Sequence, residues 1–194
     1  TFFILVSHRF QKLAPTILSR CALIKINKPS LEDLSSWLKL KVEDPKDADL
    51  ILNLCNGRPL KASEMIAKNL LEVRKHFVRD ISILLKTRNN LVQISEEWSK
   101  DKDNMSLKLE WMGNLIMDIL RIKLTGTEST TFPDTEKIAI FLSTRVDHKI
   151  LFNLLKETNK TWNWLFGDSN LRPDYHLKSL FISWIEDLGI EPNR

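Results

Sequence analysis

After Ile26 the apolar residues settle into a helical period and keep it, and this change of period prescribes a mainly α-helical chain. Leu31, Leu34, Leu38 and Val42 open the series, and Pro45 punctuates it. Ala48, Ile51, Leu52 and Cys55 repeat the spacing, with Gly57 as a C-terminal stop. Pro59 suits the first turn of a third helix carrying Ala62, Met65 and Ile66, so residues 27–70 read as a small three-helix unit. From about Leu71 a second helical unit begins. Val73, Phe77, Ile81, Leu84 and Leu85 trace one stripe, and Leu91, Ile94 and Trp98 another. After a polar break from Lys100 to Asn104, the segment Met105 to Leu124 is apolar on most of its circumference, as a helix at the centre of a bundle or in a subunit interface would be. Thr125 to Pro133 is loop by composition, and helices follow around 135–143 and 147–158, then an aromatic knot at Trp162, Trp164 and Phe166. The last helix starts at Pro173, carries Leu177, Leu180, Phe181, Trp184 and Leu188 on one face, and stops at Gly189. Trp37, Trp111 and Trp184 belong to apolar stripes and are expected in the core; Trp162 and Trp164 cannot share one helix face, so one is expected at a subunit contact.

The opening stretch reads differently. Phe2 to Val6 and Cys21 to Ile26 have the composition of buried strands, with a short helix opened by Pro15 between them. Two strands alone are marginal in water, so the sequence is expected to be the back end of a longer protein whose remaining strands lie upstream. No acidic residue precedes Glu32, while Arg9, Lys12, Arg20, Lys25 and Lys28 all fall there. Such a surface attracts phosphate, although the charge by itself is equally that of a solvated face. Arg74, Lys75, Arg79, Lys86 and Arg88 mix with Glu72 and Asp80 and read as a solvated helix face too.

Composition excludes several chemistries. With 43% hydrophobic and 28% charged residues the chain is ordinary for a soluble globular protein, without a membrane span or signal segment, and a cytoplasmic location is expected. Cys21 and Cys55 form no CxxC, and His8, His76, His148 and His176 form no ligand cluster, so no metal site is expected. The glycines at 57, 113, 126, 167 and 189 cannot build a phosphate-cradling GxxxxGK[ST] loop, and no Gly-x-Ser-x-Gly elbow is present. The chain alone is not expected to be an enzyme or to hold a cofactor.

One stretch stands out: Phe2-Phe-Ile-Leu-Val-Ser-His8, then Lys12-Leu-Ala-Pro-Thr-Ile-Leu-Ser-Arg-Cys21. A planar, permanently charged guanidinium at an element boundary, as at Arg20, suits the oxygens of a transferring phosphoryl group. The run resembles the sensor-1 strand and Ser-Arg-Cys motif of clamp-loader AAA+ proteins. The similarity extends nearly end to end, to the carboxy-terminal half of a subunit of the bacterial DNA polymerase III clamp loader. It includes Asn56-Gly-Arg-Pro59, Leu107 to Met112, Leu115 to Leu120 and the Leu177-to-Leu188 helix.

That resemblance implies residues 1–26 as the tail of an AAA+ α/β domain, 27–70 as its helical lid and 71–194 as an all-α collar that joins subunits into a ring. It implies that Arg20 is an arginine finger acting in trans on ATP held by a neighbouring motor subunit, positioned by Ser19 and Cys21, with Ser7 at the sensor-1 position. The implied partners are the motor ATPase subunits and the delta subunit through the collar. The sliding clamp and primer–template DNA are engaged through the assembly, a component of the DNA-directed DNA polymerase holoenzyme. Motor subunits of the group carry a lid arginine three residues after a glycine. Counting from Gly57 that place holds Leu60, while Arg58 is one residue past the glycine, roughly 100° round a helix from a usable position. Leu60 therefore favours a non-motor subunit. The alternatives are a motor ATPase of the same group, with its nucleotide loops upstream, and a helical DNA-binding module.

Overall fold

Four helices begin on a proline, whose fixed φ and missing N–H cost nothing at the first helical position: Pro15, Pro45, Pro59 and Pro173. In a computed structural model, which describes residues 2–7, 9–27, 29–87, 90–127, 130–167 and 172–188, they are among ten α-helices, and the described residues contain no strand. The positions assigned above to His8, Lys28, Arg88 and Gly189 lie outside the described residues. Contacts divide the chain into two units, 1–30 and 31–194.

The first unit holds a 3-10 turn at Phe10–Lys12 and the one-turn helix α1 at Pro15–Leu18. Here the strand expectation fails. Phe2 to Val6 and Cys21 to Ile26 have no regular secondary structure and no ladder partner among the described residues, and their apolar side chains are open, Phe2 at 100% and Ile26 at 91% exposure. A strand is defined by the neighbour that takes its backbone hydrogen bonds. The two runs do not pair with each other, and no other described segment offers them an edge.

The second unit starts with α2 (Leu31–Lys39), α3 (Pro45–Leu54) and α4 (Pro59–Ala67), α3 packing against both others. Leu34, Leu38, Ala48, Ile51, Ala62 and Met65 are buried among them. The Asp44 carboxylate caps α3 by accepting from the Lys46 N–H at 2.9 Å. At its other end Asn56 and Gly57 turn left-handed, and Gly57 N–H donates to Leu52 C=O at 2.9 Å. The positive φ favours glycine there, while the Leu31 side chain, 3.4 Å from where a Cβ would sit, is at ordinary contact distance.

Six further helices form a bundle: α5 (Leu70–Lys86), α6 (Leu91–Lys100), α7 (Lys102–Thr125), α8 (Glu136–Ser143), α9 (His148–Phe166) and α10 (Pro173–Asp187). α7 is central, packed against α5, α6, α8 and α9, and Leu109, Trp111, Met112, Leu115, Ile116 and Ile119 are all buried. The polar break before it shrinks to one residue. Asp101 accepts from Lys108 Nζ at 2.7 Å and Asn104 Nδ2 at 2.9 Å, so two helices abut without a loop. The aromatic knot is likewise helical. α9 runs through it to Phe166, with Thr158 Oγ1 donating to Leu154 C=O at 2.8 Å and accepting from Trp184 Nε1 at 3.3 Å.

Arg74 overturns its assignment to a solvated face. It is 1% exposed, and its Nε and Nη2 donate to the two Asp134 oxygens at 2.7 and 2.9 Å. The rings of Phe77, Trp111 and Phe132 stand 4.9 to 5.3 Å from its guanidinium carbon. Beside this cage Trp98 packs edge-on to Phe181 and donates to the buried Asp80 carboxylate at 2.9 Å.

Trp111→Ala should cost on the order of 3–5 kcal/mol in urea unfolding, as large-to-alanine core changes do; an unchanged midpoint would displace α7 from the centre. Arg74→Ala should cost a similar 3–5 kcal/mol or so by stranding Asp134, and Arg74→Lys should recover only part because the fork is lost. The double variant Arg74→Met/Asp134→Leu should lose much less than the sum of the single changes; strict additivity would mean the pair is not coupled.

Candidate functional site

The segment from Ser7 to Cys21 owes its shape to local backbone geometry. Ser7 Oγ accepts from the Arg9 N–H at 3.1 Å, and the chain then tightens into the Phe10–Lys12 turn. Ala14 is extended, as the residue before a proline prefers, and Pro15 starts α1. Ser19 N–H donates to Pro15 C=O at 2.9 Å, Ser19 Oγ to Thr16 C=O at 3.3 Å, and Arg20 N–H to Ile17 C=O at 3.1 Å. These bonds fix the backbone at Arg20 while its side chain is exposed, and it forms no ion pair among the described residues. Ser19, Arg20 and Cys21 are thus brought together at the end of α1; Ser7 bonds to Arg9, with no hydrogen bond to Arg20 among the described residues.

In the three-helix unit, Leu60 is the second residue of α4 and 85% exposed. Arg58 sits just before that helix in extended backbone, so neither position presents a guanidinium from the first turn of α4. The two cysteines differ: Cys21 is exposed, whereas Cys55 is buried with its Sγ 3.9 Å from Met65 Sδ. Burial pushes the Cys55 thiol up, Glu110 and Glu64 add to it, and Lys61 opposes them.

Trp37, Trp111 and Trp184 all pack on the core, Trp37 partly buried at its margin. Trp162 and Trp164 divide differently from the expected pair, each being partly open at 39% and 40% exposure. Trp162 Nε1 donates to Ser106 Oγ at 2.9 Å, and Trp164 stacks edge-on to His176. The features that sequence reading missed are the Arg74 cage and the buried Asp118, which accepts from Thr131 N–H and Oγ1, Phe132 N–H and Arg121. Asp134, Thr131 and Phe132 lie at separations a local pattern does not carry; only the Asp118–Arg121 pair has helical spacing. Among the described residues no helix is long and apolar enough to cross a membrane, and no group of three or more His, Cys, Asp or Glu side chains could hold a metal.

A three-helix unit followed by an all-α bundle places the chain in the all-α class. Residues 68–185 match the family model for the C-terminal region of the DNA polymerase III delta subunit, and the chain belongs to that family. It is 28% identical over 191 residues to DNA polymerase III subunit delta' of Pseudomonas aeruginosa, covering 95% of this chain and 56% of that protein. It is 23% identical over 184 residues to subunit delta' of Buchnera aphidicola, covering 94% and 55% respectively. It is 32% identical over 127 residues to subunit delta' of Haemophilus influenzae, covering 64% and 37%. The resemblance read from the Ser-Arg-Cys segment and the helical motifs is thereby borne out, and the chain spans about half the length of the first two relatives and 37% of the third.

Thiol labelling provides a check on the two cysteine environments. Cys21 should react with an aromatic disulfide reagent at the rate of a free thiol, and Cys55 only after addition of denaturant. Equal rates in the native protein would place Cys55 at the surface.

Proposed function

We propose that this chain is the carboxy-terminal half of a non-motor delta-prime subunit of the bacterial DNA polymerase III clamp loader, acting in the cytoplasm in DNA replication. Residues 1–26 complete an AAA+ domain, 27–70 form its lid and 71–194 are the collar that joins the motor and delta subunits into a ring. The ring opens the sliding clamp and delivers it to primer–template DNA. Arg20 is a finger for ATP bound on the neighbouring motor subunit, with Ser19 and Cys21 as its frame and Ser7 at the sensor-1 position.

The observation that carries this reading is the combination at Arg20. Its backbone is held by the α1 turn, and its guanidinium is exposed without an intramolecular ion pair among the described residues. A finger needs both properties, because it must be aimed by its own subunit and bonded by another. The exposed apolar Leu60 supports a lid without a phosphate-reading arginine.

The chain alone should neither hydrolyse ATP nor bind it tightly, and micromolar affinity by calorimetry would refute the non-motor assignment. In the reconstituted complex, Arg20→Ala should leave folding and assembly intact. Hydrolysis at the adjacent site should fall about a thousandfold, roughly 4 kcal/mol of barrier, with total turnover falling less because other sites keep their fingers. Arg20→Lys should rescue poorly, since an ammonium keeps the charge and loses the fork. Wild-type ATPase and clamp loading from the alanine variant would leave Arg20 an ordinary surface arginine.

A further inference from the structure

α9 carries a second chemistry on its outward side. Lys149, Phe152, Asn153, Lys156, Asn159, Lys160, Asn163 and Trp164 are all exposed. At 100° per residue they occupy roughly 140° of the helix circumference. No acidic residue of α9 falls within that arc; Glu157 borders it and pairs with Lys160 at 3.5 Å. The face is a nearly flat patch of α9 alone, running from Phe152 past Lys156, Asn159 and Asn163 to Trp164, with the half-buried Leu155 at its margin. Lys160 Nζ rests 4.5 Å above the centre of the Trp164 ring.

We propose that this face of α9 binds single-stranded nucleic acid, with Phe152 and Trp164 as stacking platforms and Lys149, Lys156 and Lys160 as phosphate contacts. Protein interfaces are depleted of lysine at their centres, whereas here lysines run the whole length of the face and aliphatic side chains are scarce. Lysine and aromatic side chains interleaved with amides are the combination that tracks a flexible phosphate chain while offering rings to its bases. The strand must be single, because duplex bases are already stacked on one another and cannot lie on a protein ring. Phe152 and Trp164 are about 18 Å apart along the helix axis, which lets one strand reach both. Asn159 and Asn163 lie between them, with donors and acceptors suited to base edges. On binding, Lys160 exchanges the Trp164 ring and Glu157 for a phosphate and uncovers the side of the ring on which it rests, while the edge contact with His176 stays in place. None of these groups takes part in the Arg20 reading, so the two stand or fall separately.

The test is fluorescence anisotropy of a short labelled oligothymidylate titrated with the full chain over a range of salt. Binding should weaken with salt at a log–log slope of about −2 for three lysines, at roughly −0.7 per phosphate contact on a single strand. Lys156→Glu/Lys160→Glu should lower affinity at least about tenfold and flatten that slope, while Phe152→Ala/Trp164→Ala should lower it at least about thirtyfold with the slope unchanged. Lys68→Glu/Lys75→Glu, which alters one lysine in the turn after α4 and one on α5, should change affinity less than about twofold. The proposal is overturned if the control pair weakens binding as much as the α9 pair, if the aromatic pair has no effect, or if a duplex of the same length binds as tightly. It is equally overturned if the oligonucleotide does not bind and the α9 variants instead fail to assemble with other subunits, which would make the face a protein interface.

Discussion

A guanidinium enclosed by aromatic rings persists only if its charge is matched, and Arg74 meets that condition through a partner sixty positions away, Asp134. The fork takes both carboxylate oxygens, and the ring faces of Phe77, Trp111 and Phe132 surround the rest of the cation. Nη1 is buried with no hydrogen-bond acceptor among the described residues, which leaves the ring quadrupoles as its electrostatic surroundings. One side chain thereby ties α5 to α7 and to the turn preceding α8. Desolvating an ion pair costs several kcal/mol per ion, so the pair is not a simple gain in stability. What it contributes is geometry: a slipped register of α5 would bury a cation away from its carboxylate.

The same device recurs with other polar groups. Asp118, on the central helix, takes hydrogen bonds from Thr131 and Phe132, fixing the segment that presents Phe132 to Arg74 and Asp134 to its fork. Asp80 anchors the Trp98 indole, and that ring lies against Phe77 and Phe181, so α5, α6 and α10 share one aromatic layer. Thr158 links α9 to α10 through Trp184. Each helix pair has apolar contact as its main attraction, and a directional bond selects one arrangement among many that bury similar area.

This division explains what was legible in the sequence. Most of α2 to α10 could be read because apolar stripes and opening prolines are local signals, although α9 was read only to Thr158; the apolar circumference of 105–124 pointed to a bundle centre or an interface, and α7 occupies the centre. The junction at Asp101 was misread as a five-residue break, since a run of polar residues looks the same in a loop and in a helix whose carboxylate collects two hydrogen bonds. Arg74 was misread for a related reason: charge beside charge on a helix suggests solvent, and its Asp134 partner is too distant for any periodicity to reveal. The runs at Phe2 and Cys21 show the opposite failure. Their composition is that of strands, but strand structure belongs to a pair of segments, and composition says nothing about the partner. The Ser-Arg-Cys segment was legible as a motif, and its geometry as a turn ending at Arg20 follows from Pro15 and short-range bonds alone.

Arg20 and Arg74 place one side-chain type in two opposite settings. Arg74 has already been removed from water, and Asp134 and three rings hold it in place, so it has little left to offer another molecule. Arg20 keeps its hydration, and only its backbone is fixed. Moving it against a phosphate would exchange water for a multiply charged acceptor, the trade in which a weakly hydrated guanidinium loses least and its fork gains most. Had Arg20 been held by a carboxylate of its own unit, that exchange would have had to break an ion pair first. A pinned backbone beneath an exposed side chain is the arrangement that the proposed finger would require, and α1, a single turn, supplies the pinning.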